Sequence, residues 1–143
     1  MAGQDDMSNR TSAKSESSDL QGFVEKASIA NMAEIQLGQL AAERAQDPQV
    51  KQFAQTMVDD HTKAQEQLKT VASNQNIPIP SALDGKHQKL HDKLAKLQGA
   101  EFDRAYMDAM VDGHKDAEKL LKKRAEEKSP LCGPRKSSNT GWP

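Results

Sequence analysis

Proline removes a backbone donor and pushes the residue before it out of the helical region, and in this 143-residue chain it stands at only three positions before residue 129: Pro48, Pro78 and Pro80. The long stretches between them carry apolar residues at helical spacing, so the prolines divide the chain into helices. Asp47-Pro48 reads as an N-cap followed by proline at the first helical position, where the missing N–H costs nothing. It separates a first helix, Leu20 to Gln46, from a second, Pro48 to about Asn74. The segment "NIPIPSALDG" ends the second helix. A third, shorter helix is predicted from about Lys86 to Leu97, with Gly99 marking its end, and a fourth from about Ala100 to Lys128. Aromatic residues make up only 3% of the chain, while Ala, Gln, Lys, Glu and Leu are abundant, a composition that favours helices over strands. The expectation is an all-α antiparallel bundle of three long helices and one short one, most simply up-down, with the short helix lying across an end or a side.

The ends differ from the middle. Residues 1–19 are polar without an apolar period and are expected to form a disordered lead. Residues 20–128 form the bundle domain. Residues 129–143, "SPLCGPRKSSNTGWP", contain three of the six prolines and read as an irregular tail. A formal net charge of −1 supplies no concentrated basic footprint, so nucleic acid is not an expected partner. No apolar run approaches the ~20 residues of a membrane helix, and residues 1–19 lack the apolar core of a secretory signal. The single cysteine, Cys132, cannot form an internal disulfide. Nucleophile motifs, glycine-rich phosphate loops and paired Cys-x-x-Cys are absent, which argues against a hydrolase or a nucleotide enzyme.

One segment occurs twice. "MVDDHTKA" at residues 57–64 returns as "MVDGHKDA" at residues 110–117, an offset of 53. On a helical wheel the second helix presents Val50, Ala54, Met57, Ala64, Leu68 and Ala72 on one face, with His61 inside it, Asp59 facing away and Asp60 near the edge. The fourth helix buries Phe102, Tyr106, Met110, Ala117, Leu120 and Leu121, with Asp103 and His114 on the flank. On the first helix Phe23, Ala27, Ala30, Leu37, Ala41 and Ala45 share a face, and Glu34 falls at its centre. A carboxylate there is costly unless paired, protonated or bound to metal. Glu34 lies 13 residues before Asp47 and His61 lies 14 after it, which places both about 20 Å from the turn. His114 lies near the middle of its own helix, so Glu34, His61 and His114 converge on one mid-bundle site.

Two readings of that constellation stand. A carboxylate and two imidazoles suit iron, zinc or copper, and thioethers from Met57 and Met110 would tilt the set towards copper(I). Equally, Glu34 hydrogen-bonded to one or both histidines forms a polar cluster that fixes helix register. A di-iron carboxylate centre is disfavoured, because Glu-x-x-His is absent and the residues three before His61 and His114 are Val58 and Val111. His87 and His91, also one turn apart, read as a solvated helix edge. Tyr106 is expected to place its ring in the core with its hydroxyl bonded to a neighbour such as a carboxylate.

The motifs "NMAE" at 31–34, "GQLA" at 38–41, "MVDDH" at 57–61, "GAEFDRAYM" at 99–107 and "MVDGHK" at 110–115 carry a resemblance. Across Phe23 to Ala117 the chain resembles a bacterial domain-of-unknown-function family with a ferritin-like fold, whose members are commonly labelled predicted outer-membrane or periplasmic proteins. The resemblance implies a ferritin-like helical bundle in the cell envelope with no established activity. Such proteins usually start with a leader and end with a further long helix bearing an inward histidine; here the irregular tail stands in place of that helix. An apolar face left open in this way is expected to favour homo-oligomers or the docking of a partner helix. The leading expectation is a non-enzymatic protein with metal affinity at Glu34, His61 and His114; the alternatives are a metal-dependent redox enzyme and a helix-binding interaction module.

Overall fold

The computed structural model describes residues 5–128, which form four α-helices and no strand: α1 (Asp5–Arg44), α2 (Pro48–Asn74), α3 (Gly85–Ala95) and α4 (Gly99–Lys128). The three junctions between them follow from local chemistry. Asp47 caps α2 by accepting from the Gln49 N–H at 2.8 Å, with Pro48 next to it. Such caps stabilise a helix by about 1 kcal/mol. Asp84 does the same for α3, accepting from the His87 N–H at 2.9 Å. At the far end of α2 the Ile77 N–H turns back to Ala72 O at 2.8 Å, and Asn76 takes the left-handed conformation (φ 56°) that such a closure requires. Gly99 has φ +63° at the tight α3–α4 junction, a conformation that side chains with a Cβ rarely adopt.

Helix α1 starts at Asp5, fifteen residues before the expected Leu20. Residues 5–19 carry no apolar stripe, but a helix nucleated downstream extends at the cost of one residue per added hydrogen bond, and Ala, Lys, Glu and Gln favour that extension. Residues 1–4 and the tail expected at 129–143 lie outside the described residues.

The helices do not alternate up and down. Helices α1 and α2 form an antiparallel hairpin, in which Gly38 lets them approach closely: a Cβ there would lie 2.7 Å from Val58 Cγ2. Helix α4 is also antiparallel to α1. Its first turn meets the α1–α2 turn, where the Asp103 carboxylate accepts from the backbone N–H groups of Gln46 and Asp47, both at 2.9 Å. Its last turns return to the middle of α1, where the Arg124 guanidinium lies 5.8 Å from the centre of the Phe23 ring. Helices α2 and α4 therefore run parallel on two flanks of α1. Their residues stand level at the repeat offset: Phe53 packs edge-on against Tyr106 with centroids 6.3 Å apart, and His61 stacks on His114 at 6.3 Å. The proline-containing segment after α2, followed by α3, carries the chain back along the bundle to make this possible. Lys86 at the start of α3 faces Asp116 of α4 at 3.8 Å, and at its end the Ala95 carbonyl accepts from the Arg44 guanidinium.

The core occupies the half of the bundle near the α1–α2 turn, where all four helices contribute. Leu37, Ala41 and Ala45 of α1, Ala54 of α2, Leu94 of α3, and Phe102, Tyr106 and Met110 of α4 are buried together. Each large side chain among them contributes roughly 1.5–3 kcal/mol by leaving water. The α1 face differs in detail from the wheel: Val24, Ser28 and Ala33 are buried, whereas Phe23, Ala27 and Ala30 are only half-buried. Contact with α2 on one flank and α4 on the other widens the covered face of α1 beyond a single stripe. Among the described residues the large apolar side chains left exposed are Val71, Val111 and Leu121.

A candidate metal centre at mid-bundle

Glu34 is 6% exposed and sits on α1 at the level where the paired helices present His61 and His114. Glu34 Oε2 is in direct contact with His61 Nε2 and lies 3.7 Å from His114 Nε2; no other donor among the described residues reaches it. One donor atom from each of the three residues falls within 4.8 Å of the other two. The convergence predicted from helix face and height is thus present in the structure. His87 and His91 are elsewhere and do not join it: His87 Nδ1 lies 2.6 Å from Asp84 Oδ1, so that imidazole completes the α3 cap.

The two histidines are held unequally. His61 is 20% exposed, and its Nδ1 lies 2.9 Å from the Met57 carbonyl one turn back. A carbonyl oxygen only accepts, so Nδ1 carries a proton, and Nε2 then meets the carboxylate. A neutral imidazole would turn a lone pair towards Glu34. A proton at Nε2 or a metal ion in its place resolves the conflict, and a second-nitrogen bond to a backbone carbonyl is the usual way a metal-ligating histidine is oriented. The hydrogen bond that the His61 imidazolium donates to Glu34 is the main reason that the His61 pKa rises above its ordinary 6.5; burial works against it, while the Met57 carbonyl and the charges of Glu34 and Asp60 add to it. His114, by contrast, has 47% of its side chain exposed, and among the described residues no hydrogen bond holds its ring.

Three features around the site have no clear sign in the helical pattern. Gly113, which replaces the Asp60 of the first repeat, brings the surface of α4 against the carboxylate: a Cβ built on it would stand 3.2 Å from Glu34 Oε1. One turn along α2, Gln65 is buried and donates to Ser28 Oγ at 2.8 Å while accepting from Asn31 Nδ2 at 3.2 Å, a polar layer that locks α1 to α2. Tyr106 is fully buried beside Phe102 and Phe53, yet its hydroxyl has no partner among the described residues, contrary to the expected bond to a carboxylate. Burial, aided by the charge of Glu34, pushes this phenol far above its ordinary range, so it stays protonated.

A family model described as Domain of unknown function (DUF4142) matches residues 6–130. The chain belongs to the DUF4142 family. Comparisons with curated proteins and with solved structures gave no match. The DUF4142 match spans all three helices that bring Glu34, His61 and His114 together, so the cluster is part of the matched domain. No described helix of this DUF4142 member is long and apolar enough to cross a membrane.

Proposed function

We propose that this DUF4142 protein is a ferritin-like bundle of the bacterial envelope that binds one divalent transition-metal ion through Glu34, His61 and His114, and that binding rather than turnover is its role. The observation that carries the metal reading is the approach of three donors from three different helices to within 4.8 Å. Two imidazoles and one carboxylate form a donor set suited to iron, zinc or copper. The ferritin-like reading is supported by the parallel arrangement of α2 and α4, which needs one long crossover, the connection that distinguishes ferritin-like bundles from up-down ones. The envelope assignment rests on the sequence resemblance.

Metal and proton compete for His61 Nε2, so affinity rises with pH as the imidazolium is displaced. A second reading, a redox metalloenzyme, is favoured by one observation: the 47% exposure of the His114 side chain opens the site to solvent and to small exogenous ligands. Elemental analysis of protein purified without an affinity tag, then loaded separately with iron, copper and zinc, tests the main proposal. A near-stoichiometric ion, lost in His61→Ala and kept in His87→Ala, is the expected result. Absence of a retained ion with every metal sinks both the binding and the enzyme readings. Ferrous oxidation or peroxide turnover by the loaded protein would replace the first with the second.

A further inference from the structure

Gly113 lies in the interior of α4, 14 residues after its first residue, where glycine is an unfavourable choice. Its backbone makes no use of glycine's freedom, since the only glycine with positive φ among the described residues is Gly99. What the position does use is the missing side chain. An ideal Cβ would stand 3.2 Å from Glu34 Oε1, tighter than an ordinary van der Waals contact, and the carboxylate cannot retreat without breaking the contact of its other oxygen with His61 Nε2. The neighbouring repeat supplies a comparison within the molecule. The equivalent residue on α2 is Asp60, an exposed side chain. The glycine therefore stands where a side chain would meet Glu34 Oε1.

The geometry points to Gly113 as a positioning residue of the metal centre: the space left by its absent side chain seats the Glu34 carboxylate, with Oε1 against α4 and Oε2 turned to the two imidazole Nε2 atoms. This inference rests on the Glu34–His61–His114 reading above, but its decisive test does not require a metal.

A double-mutant cycle on the metal-free protein separates a seat from an ordinary helix glycine. Gly22 of α1, where a Cβ would meet nothing within 4 Å, is the control. Gly22→Ala should raise Tm by about 2–6 °C through helix propensity alone. Gly113→Ala should leave Tm unchanged or lower it with Glu34 present, and raise it by as much as the control in a Glu34→Ala background, where the carboxylate is gone. Glu34→Ser serves as the background if Glu34→Ala does not fold. Cobalt(II) titration of the otherwise wild-type protein supplies the second measurement, with affinity about tenfold or more weaker in Gly113→Ala, the size of effect seen when the orientation of a ligand is disturbed, and unchanged in Gly22→Ala. An equal rise in Tm in both backgrounds overturns the proposal. So does undiminished cobalt affinity in Gly113→Ala. Failure of the wild-type protein to bind cobalt or any other ion would instead overturn the metal reading, and the Tm cycle alone would then decide the seat.

Discussion

On α2, the segment Met57–Ala64 presents a histidine held at Nδ1 by the Met57 carbonyl and pressed at Nε2 against Glu34. On α4, the matching segment Met110–Ala117 presents one that is 47% exposed and 3.7 Å from the same carboxylate. The repeat delivers the same residue type at the same level from two parallel helices, yet only the first copy is oriented by its surroundings. The second copy carries Gly113 where the first has Asp60, and the missing side chain leaves room for Glu34 Oε1 against α4. Similar sequence thus yields one oriented imidazole and one that its surroundings leave free to turn.

That asymmetry can be broken. Glu34→Ala removes the group both histidines share and should weaken cobalt or zinc binding by more than the ~10–100-fold that loss of an orienting partner costs, as read by calorimetric titration. His61→Ala should approach the same loss, whereas His114→Ala should cost only about tenfold, or 1.4 kcal/mol. Equal losses from the two histidines would show that preorganisation does not distinguish the copies. Tyr106→Phe makes the pair at the same offset, Phe53 and residue 106, alike; it removes a buried hydroxyl without a partner, so thermal unfolding should show stability unchanged or raised by about 1 kcal/mol.

The pH dependence sharpens the difference further. The folded-state pKa of His61 is raised, so its pairing with Glu34 contributes stability that is fully present below the ordinary 6.5 and is lost as pH rises through the folded value. Metal-free protein should therefore lose stability relative to His61→Gln between mildly acid and mildly alkaline pH, while stabilisation by added zinc should grow over the same window. Comparing unfolding curves of the two proteins at several pH values, with and without zinc, checks both signs. The smallest effect is expected from Asp60→Gly, which copies the second repeat into the first: a few tenths of a kcal/mol of helix propensity and no change in metal affinity.

Much of this arrangement could be read from residues alone, and the failures have physical causes. Asp47-Pro48 marked the start of α2, and the proline-containing segment "NIPIPSALDG" marked its end near Asn74, because caps and prolines act locally. Glu34, His61 and His114 could be placed at one level because helical rise and hairpin symmetry are regular. The parallel course of α2 and α4 was not legible, since an up-down bundle and a crossover differ only in where a connecting segment packs. Nor was the covered face of α1, which two neighbours widen until Ser28 is enclosed and satisfied by Gln65 across the interface. Gly113 carried a signal, a helix-interior glycine facing the level of a buried acid, but only the approach of α4 to Glu34 gives that signal meaning.

The clamp between Asp103 and the α1–α2 turn has a consequence for the order of assembly. Gln46 and Asp47 are joined to a carboxylate 57 and 56 residues away in the chain, whereas the hairpin they connect is built from neighbours in sequence. Loop-closure entropy favours forming that hairpin first and docking α4 onto it later. His114 would then arrive last, and an ion bridging it to Glu34 and His61 would fasten the final helix to the completed pair. Amide exchange should accordingly release α4 before the hairpin, with a bound ion closing the gap between them.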